Sequence, residues 1–248
     1  MKILLPPSET KRLGGDGPAL SLDRLALPAL TLQRETIVEA LIALAAYPDA
    51  SARVLKLSDR QLGEIAHNRA LRTSATMPAV DRYTGVLYDA LDAGSLDAPA
   101  RRWLAGHMWI HSAPFGPVGA LDSIPSYRLA AGASLPGVAP LRRLWADATT
   151  AAIADEAPSF VLDLRSEAYV ALGPVPASVP SAYVRVVTEQ GRALNHFNKK
   201  AKGELVRALA EDRPRARTLD GLLDWAQSRS LVIRRAEQPD TVELVVAS

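Results

Sequence analysis

Cysteine is absent from the chain. That excludes disulfides, thiolate metal sites, thiol redox chemistry and cysteine-ligated iron–sulfur clusters. No run approaches the ~18 consecutive apolar residues that a membrane span needs. The apolar part of Met1 to Pro7 is too short for a secretory signal. A cytoplasmic protein with no membrane partner is therefore expected. An excess of charge of either sign is also missing: 29 Lys and Arg face 27 Asp and Glu, a formal net charge of +2. Any nucleic-acid surface would have to be a local patch. Internal repeats, low-complexity linkers and breaks in composition are lacking too. What is present, 48% hydrophobic and 23% charged residues over 248 positions, can bury a sizeable core. The simplest organisation is one α+β domain spanning residues 1–248.

Familiar cofactor and metal signatures are also incomplete. Gly14, Gly15 and Gly17 do not form G-x-G-x-x-G, and Ser8-x-x-Lys11 lies outside any Walker loop. That S-x-x-K spacing occurs in β-lactamase-type enzymes, but the companion S-D-N and K-T-G motifs are absent. His107 and His111 have the spacing of a helical metal pair. Met108 stands where H-E-x-x-H has its glutamate, and Trp109-Ile110 favours a strand, which separates the two rings. No metal site and no cofactor are expected.

Periodicity supplies the elements. Lys2 to Leu5 reads as a short buried strand stopped by Pro6-Pro7, and Leu32 to Tyr47 as an amphipathic helix. Ser58 to Gln61 has capping-box spacing, and a helix is expected from Pro78 through Leu91, interrupted by Gly85. Met108 to His111 favours a strand. Phe115 to Tyr127 reads as a long loop of turn residues, of the kind often functional. Helix Leu141–Ile153, strand Phe160–Leu164 and strand Tyr183–Val187 follow. A helix capped by Thr218 precedes a C-terminal hairpin of Leu231–Arg235 and Thr241–Val246. The fold expected is thus a mixed α/β domain with a central sheet, several amphipathic helices and a C-terminal β-hairpin.

Against this background one stretch stands out, Asn195 to Arg207, which holds Lys199, Lys200 and Lys202 within four positions and then Gly203. Concentrated positive charge beside a glycine suits phosphate or another anion, although lysine-rich helix starts are also ordinary solvated faces. Ser8 and Lys11 follow one strand, and Ser166, Glu167 and Tyr169 follow another. If those strands are neighbours, their ends converge with Arg128 and the lysines in one crevice.

Five motifs in order carry a family resemblance. They are Leu4-Leu-Pro-Pro-Ser-Glu-Thr-Lys11, Tyr83-Thr-Gly-Val-Leu-Tyr88, the segment Phe115 to Leu129, Asp163-Leu-Arg-Ser-Glu-Ala-Tyr169 and Lys199-Lys-Ala-Lys-Gly203. Together they resemble the YaaA family of peroxide stress response proteins, from Met1 to about Leu209. The resemblance implies a cytosolic protein that limits iron-dependent oxidative damage and binds DNA. It also implies a basic cleft and a helix-hairpin-helix element. The chain departs from the family pattern where Ala168 replaces a second acidic residue before Tyr169, and where Lys202 replaces an arginine.

Two functions are therefore expected of one set of residues. In the first, Lys199, Lys200 and Lys202 neutralise DNA phosphates with Gly203 allowing close approach, and binding is weakly sequence-specific. In the second, Ser8, Lys11, Arg128, Ser166 and the lysine stretch hold a small anionic, nucleotide-like substrate. Glu167 or Tyr169 would then transfer a proton.

Overall fold

A computed structural model of the protein describes residues 1–192 and 197–246. Asn195 and His196, the start of the basic stretch, lie outside the described residues. The strands are β1 (Lys2–Leu5), β2 (Met77–Pro78), β3 (Met108–Ser112), β4 (Gly116–Gly119), β5 (Ser123–Ile124), β6 (Val161–Asp163), β7 (Ser181–Thr188), β8 (Ile233–Arg235) and β9 (Thr241–Val246). All but β2 and β5 form a seven-stranded sheet in the order β4-β3-β1-β6-β7-β9-β8. The five inner strands run parallel, and the two edge strands are antiparallel to their neighbours. The fold is mixed α/β, as expected.

The burial of β1 follows from its composition. Ile3, Leu4 and Leu5 are fully buried, as a strand flanked on both sides in a parallel sheet requires. Both of its neighbours, β3 and β6, come later in the chain. The connection leaving β1 leads to β3 on one side, and that leaving β6 leads to β7 on the other. Such a reversal between adjacent parallel strands opens a crevice at their carboxyl ends. Pro6 and Leu164 are the first residues beyond those ends.

The helices are α1 (Thr31–Ala45), α2 (Pro48–Leu55), α3 (Ile65–Arg69), α4 (Ala79–Arg82), α5 (Val86–Leu91), α6 (Ala98–His107), α7 (Leu141–Glu156), α8 (Glu167–Val170), α9 (Phe197–Asp212) and α10 (Leu219–Ser228). The helix expected from Pro78 to Leu91 is split into α4 and α5. Gly85 between them adopts φ 93°, which only glycine enters without strain. Thr218 caps α10 as expected, accepting from the Gly221 amide at 3.2 Å. Ser58 and Gln61 form the expected capping box, but it opens a 3-10 turn ahead of α3.

Two expectations need correction. Phe115 to Tyr127 is not one long loop, because β4 and β5 lie within it. Gly116-Pro-Val-Gly119 has little strand propensity, yet it is buried and pairs with β3 from Trp109↔Gly119 to Ser112↔Gly116; tertiary pairing overrides the local preference. Nor is a helix-hairpin-helix element evident among the described residues. The basic stretch begins α9, whose main packing partner is the distant α5.

That packing explains Gly203. A Cβ there would sit 2.2 Å from the Leu87 carbonyl oxygen and 2.8 Å from the Ala90 methyl. The glycine serves the α5–α9 crossing, where a side chain would push the helices apart. Gly203→Ala should lower stability by about 1–3 kcal/mol through overpacking, despite a propensity gain of about 1 kcal/mol for alanine in a helix. Urea denaturation measures this, and a stabilised variant would refute the close crossing.

Candidate functional site

At the reversal between β1 and β6 lies a cleft of about 650 Å³. Its walls include Pro6, Ser8 and Thr10 after β1, Gly85 and Tyr88 of the α5 region, Ser166 and Tyr169 after β6, and Lys199 of α9. A recess of about 420 Å³ adjoins it. The two share Pro6, Leu87, Ser166, Ala168 and Lys199, and the recess adds Glu167, Tyr183, Asn198 and Lys202. Ser8, Ser166, Tyr169 and Lys199 thus line the cleft, and Ser166, Glu167, Lys199 and Lys202 line the adjoining recess.

Four other residues expected here stand apart from both. Arg128 is held by its own partners: Asn68 brackets its backbone with two 2.8 Å hydrogen bonds, and its guanidinium lies 3.6 Å from Glu9 and 3.5 Å from Glu64. Lys200 is exposed and pairs with Glu204 at 3.6 Å across one helical turn. Gly203 is occupied by α5. Lys11 sits behind the Ser8–Thr10 loop, donating to the Ser8 and Glu9 carbonyls at 3.1 and 3.2 Å. Its ammonium lies 4.1 Å from the Tyr127 ring centroid. It braces that loop against the tyrosines.

The floor of the cleft is a buried tyrosine cluster. The Tyr83 and Tyr127 hydroxyls are hydrogen-bonded at 2.8 Å, and the Tyr88 hydroxyl donates to the Pro6 carbonyl at 2.7 Å. Burial raises the pKa of Tyr83, Tyr88, Tyr127 and Tyr169, so each phenol stays protonated. Burial, reinforced by the Arg128 charge, holds the Lys11 amine down to about 7 against the pull of Glu64 and Glu9.

Beneath α8 is an ion pair that spacing alone did not single out. Arg165 is wholly buried and grips Asp163 through Nε–Oδ1 at 2.9 Å and Nη2–Oδ2 at 2.6 Å, a bidentate fork. Its Nη1 donates to the Gly173 carbonyl and to His111 Nδ1, both at 2.8 Å. Because arginine can only donate, the His111 proton must lie on Nε2, which has no partner among the described residues. Burial first, and the Arg165 charge second, push this imidazole well below its ordinary pKa and keep it neutral. His107 is elsewhere, stacked on Trp103 at the end of α6. Among the described residues no group of three or more His, Asp or Glu is placed to hold a metal ion. No helix among them is long and apolar enough to cross a membrane.

Lys202 departs most from the expectation of a solvated basic face. It is 5% exposed and lies 5.6 Å over the Tyr183 ring, so the three lysines do not form one patch. The apolar arc of α9 is broader than Ala201, Leu205, Ala208 and Leu209, because Val206 and Ala210 are also fully buried. Lys202 stands one turn before Val206, on the enclosed side. That spacing was the signal available in the sequence.

The architecture is that of a mixed α/β protein with a cleft at the carboxyl ends of its parallel strands. Comparison with known proteins identifies the family. The family model described as peroxide stress protein YaaA matches residues 1–230. A UPF0246 protein of Corynebacterium glutamicum strain R is 42% identical over 253 residues, covering 99% of this chain and 100% of that relative. Another from Streptomyces coelicolor is 44% identical over 215 residues, covering 84% of this chain and 82% of the relative. A more distant one from Shewanella sediminis is 25% identical over 91% of each chain. The chain belongs to the YaaA peroxide stress protein family.

Two outcomes test this site. Asp163→Ala should cost about 3–5 kcal/mol, because it strands a buried guanidinium; a loss below 1 kcal/mol by urea denaturation would contradict the buried pair. The second concerns pH. Lys11 in the unfolded chain keeps its proton up to about pH 10.5, whereas the folded amine releases it near 7. The unfolded state binds more protons between these values, so stability should rise with pH across that window. Above pH ~10 the tyrosines reverse the trend, since only the unfolded phenols ionise there. Urea midpoints against pH read both limbs, and Lys11→Met should reduce the slope of the first, leaving the part carried by Lys202, whose amine is lowered by burial to about 8.

Proposed function

We propose that this peroxide stress family member binds a small anionic, nucleotide-like molecule in the cleft between β1, α8 and α9. The observation that carries the reading is the meeting of Ser8, Ser166, Tyr169 and Lys199 around the cleft at the reversal of the sheet, with Lys202 in the recess that shares its Ser166 and Lys199 wall. Ligands of α/β proteins commonly bind at this position. Hydroxyls and apolar walls from Pro6, Leu87 and Tyr88 suit a base or sugar, and Lys199 with Lys202 suits a phosphate. Glu167 and Tyr169 are the groups within reach for proton transfer if the ligand is turned over. The cellular role we propose is limitation of iron-dependent oxidative damage during peroxide stress in the cytoplasm; membership of the peroxide stress family supports its peroxide part.

A second reading, binding of DNA by its backbone, rests on exposed Lys199 and Lys200 at the start of α9. It has less support: Lys202 is enclosed, Gly203 is taken up in helix packing, and Lys200 is partly neutralised by Glu204.

Calorimetric titration with adenosine monophosphate and with inorganic phosphate tests the first reading. Lys199→Ala and Ser166→Ala should each weaken binding about tenfold, the loss of roughly one charge-assisted hydrogen bond. Lys200→Ala should leave it unchanged. Absence of binding by both probes at millimolar concentration would overturn the reading. The DNA reading predicts instead that Lys199→Ala and Lys200→Ala weaken duplex binding equally. Each should also reduce the salt slope by about one.

A further inference from the structure

Lys202 has charge without a counterpart. Among the described residues it makes no hydrogen bond or ion pair, although it is 5% exposed. Asp163, the carboxylate whose charge it feels most, has both oxygens engaged by Arg165. Oδ1 accepts from Nε and from the Arg165 amide, and Oδ2 accepts from Nη2. The amine therefore opens into the recess, whose other walls include Ser166, Glu167, Tyr183 and Lys199. An enclosed ammonium with no partner of its own is costly, and the amine relieves that cost by giving up its proton.

We propose that Lys202 is a nucleophile, and that its amine condenses with the carbonyl carbon of a small aldehyde or ketone bearing a phosphate or carboxylate. The proposal rests on the reading of the cleft as an anion site, because Lys199 at the shared wall holds the charged end of that ligand. Desolvation in a recess shared with another cation is the established way to make a lysine reactive. Burial lowers the Lys202 amine to about 8, so that an appreciable neutral fraction exists at neutral pH.

The reaction balances without an oxidant or reductant. The neutral Nζ attacks the carbonyl carbon, a C–N bond forms, and the oxygen takes up a proton to give a carbinolamine. Loss of water then breaks the C–O bond and leaves an imine. Glu167, on the wall of the same recess, is positioned to accept the amine proton and return it to the departing hydroxyl.

Pyridoxal 5′-phosphate, an aldehyde carrying a phosphate, is the probe. Wild-type protein is incubated with it and reduced with borohydride, and peptide mass mapping locates adducts among the six lysines of the chain. At pH 7.5 the adduct at Lys202 should form about tenfold faster than at exposed Lys56 and Lys200, with half-maximal rate near pH 8. Lys202→Arg, which keeps the charge, should abolish that adduct only. Labelling of Lys202 no faster than that of Lys56 in folded protein would overturn the assignment. Inorganic phosphate should protect Lys202, and Lys199→Ala should raise the probe concentration needed for half-labelling. Fast labelling that neither change affects would reject the anion site and keep the nucleophile. Calorimetric phosphate binding with an inert Lys202 would do the reverse.

Discussion

A guanidinium wholly removed from water is the constraint on which the cleft depends. Arg165 satisfies its charge through Asp163, two residues earlier, and spends its remaining donors on His111 in β3 and on the Gly173 carbonyl beyond α8. One side chain thereby ties the end of β6 to a strand two places away and to the far end of α8. The energetic logic is asymmetric: the assembled pair contributes modest net stability, whereas either half alone would be severely unfavourable. Its effect is to fix one arrangement of Ser166, Glu167 and Tyr169. It also takes up the Asp163 oxygens that would otherwise have paired with Lys202.

Two further buried arginines do similar work with no carboxylate within ion-pair distance among the described residues. Arg34 of α1 donates to the carbonyls of Leu22, Ala26, Phe115 and Pro117. Arg82 of α4 donates to those of Arg12, Gly14, Ala75 and Ile124. Carbonyls of irregular segments would otherwise lie buried and unsatisfied, and a planar fork with five donors answers several at once. The loop that carries Ser8 into the cleft is thus held from behind by Lys11, and its continuation by Arg82. A chain with no disulfide fastens its long connections by this means.

Much of the fold was legible in the sequence because its signals are local. The run Ile3-Leu-Leu5 and the stop at Pro6-Pro7 are those of a buried parallel strand, and Thr218 announced α10 directly. What escaped was non-local. Gly116 to Gly119 becomes a strand only because β3 offers an open edge, and composition there argues for turns. The convergence of Ser8, Ser166 and Lys199 was visible as a conditional, since it required β1 and β6 to be neighbours. Charge spacing could not show that Lys202 is enclosed while Lys199 and Lys200 remain in solvent. That depends on a wide apolar arc, completed by Val206 and Ala210 and accommodated through Gly203. The Arg165 pair was likewise hidden, because a charged residue after a short strand looks the same whether it faces water or the core.

The interior position of β1 in the sheet bears on how the protein is made. β1 leaves the ribosome before the other strands of the sheet, and both strands that flank it arrive much later, β3 beginning at Met108 and β6 at Val161. Until β3 is made, Ile3-Leu-Leu5 has no sheet partner for either edge and is a segment open to pairing with other chains. The loops closed by β1–β3 and β1–β6 pairing are long, which slows folding. The segment is only four residues long, begins with Lys2 and is followed by two prolines, features that limit its capacity to template aggregation. The brevity of this interior strand is therefore a safeguard during translation as much as a property of the finished sheet.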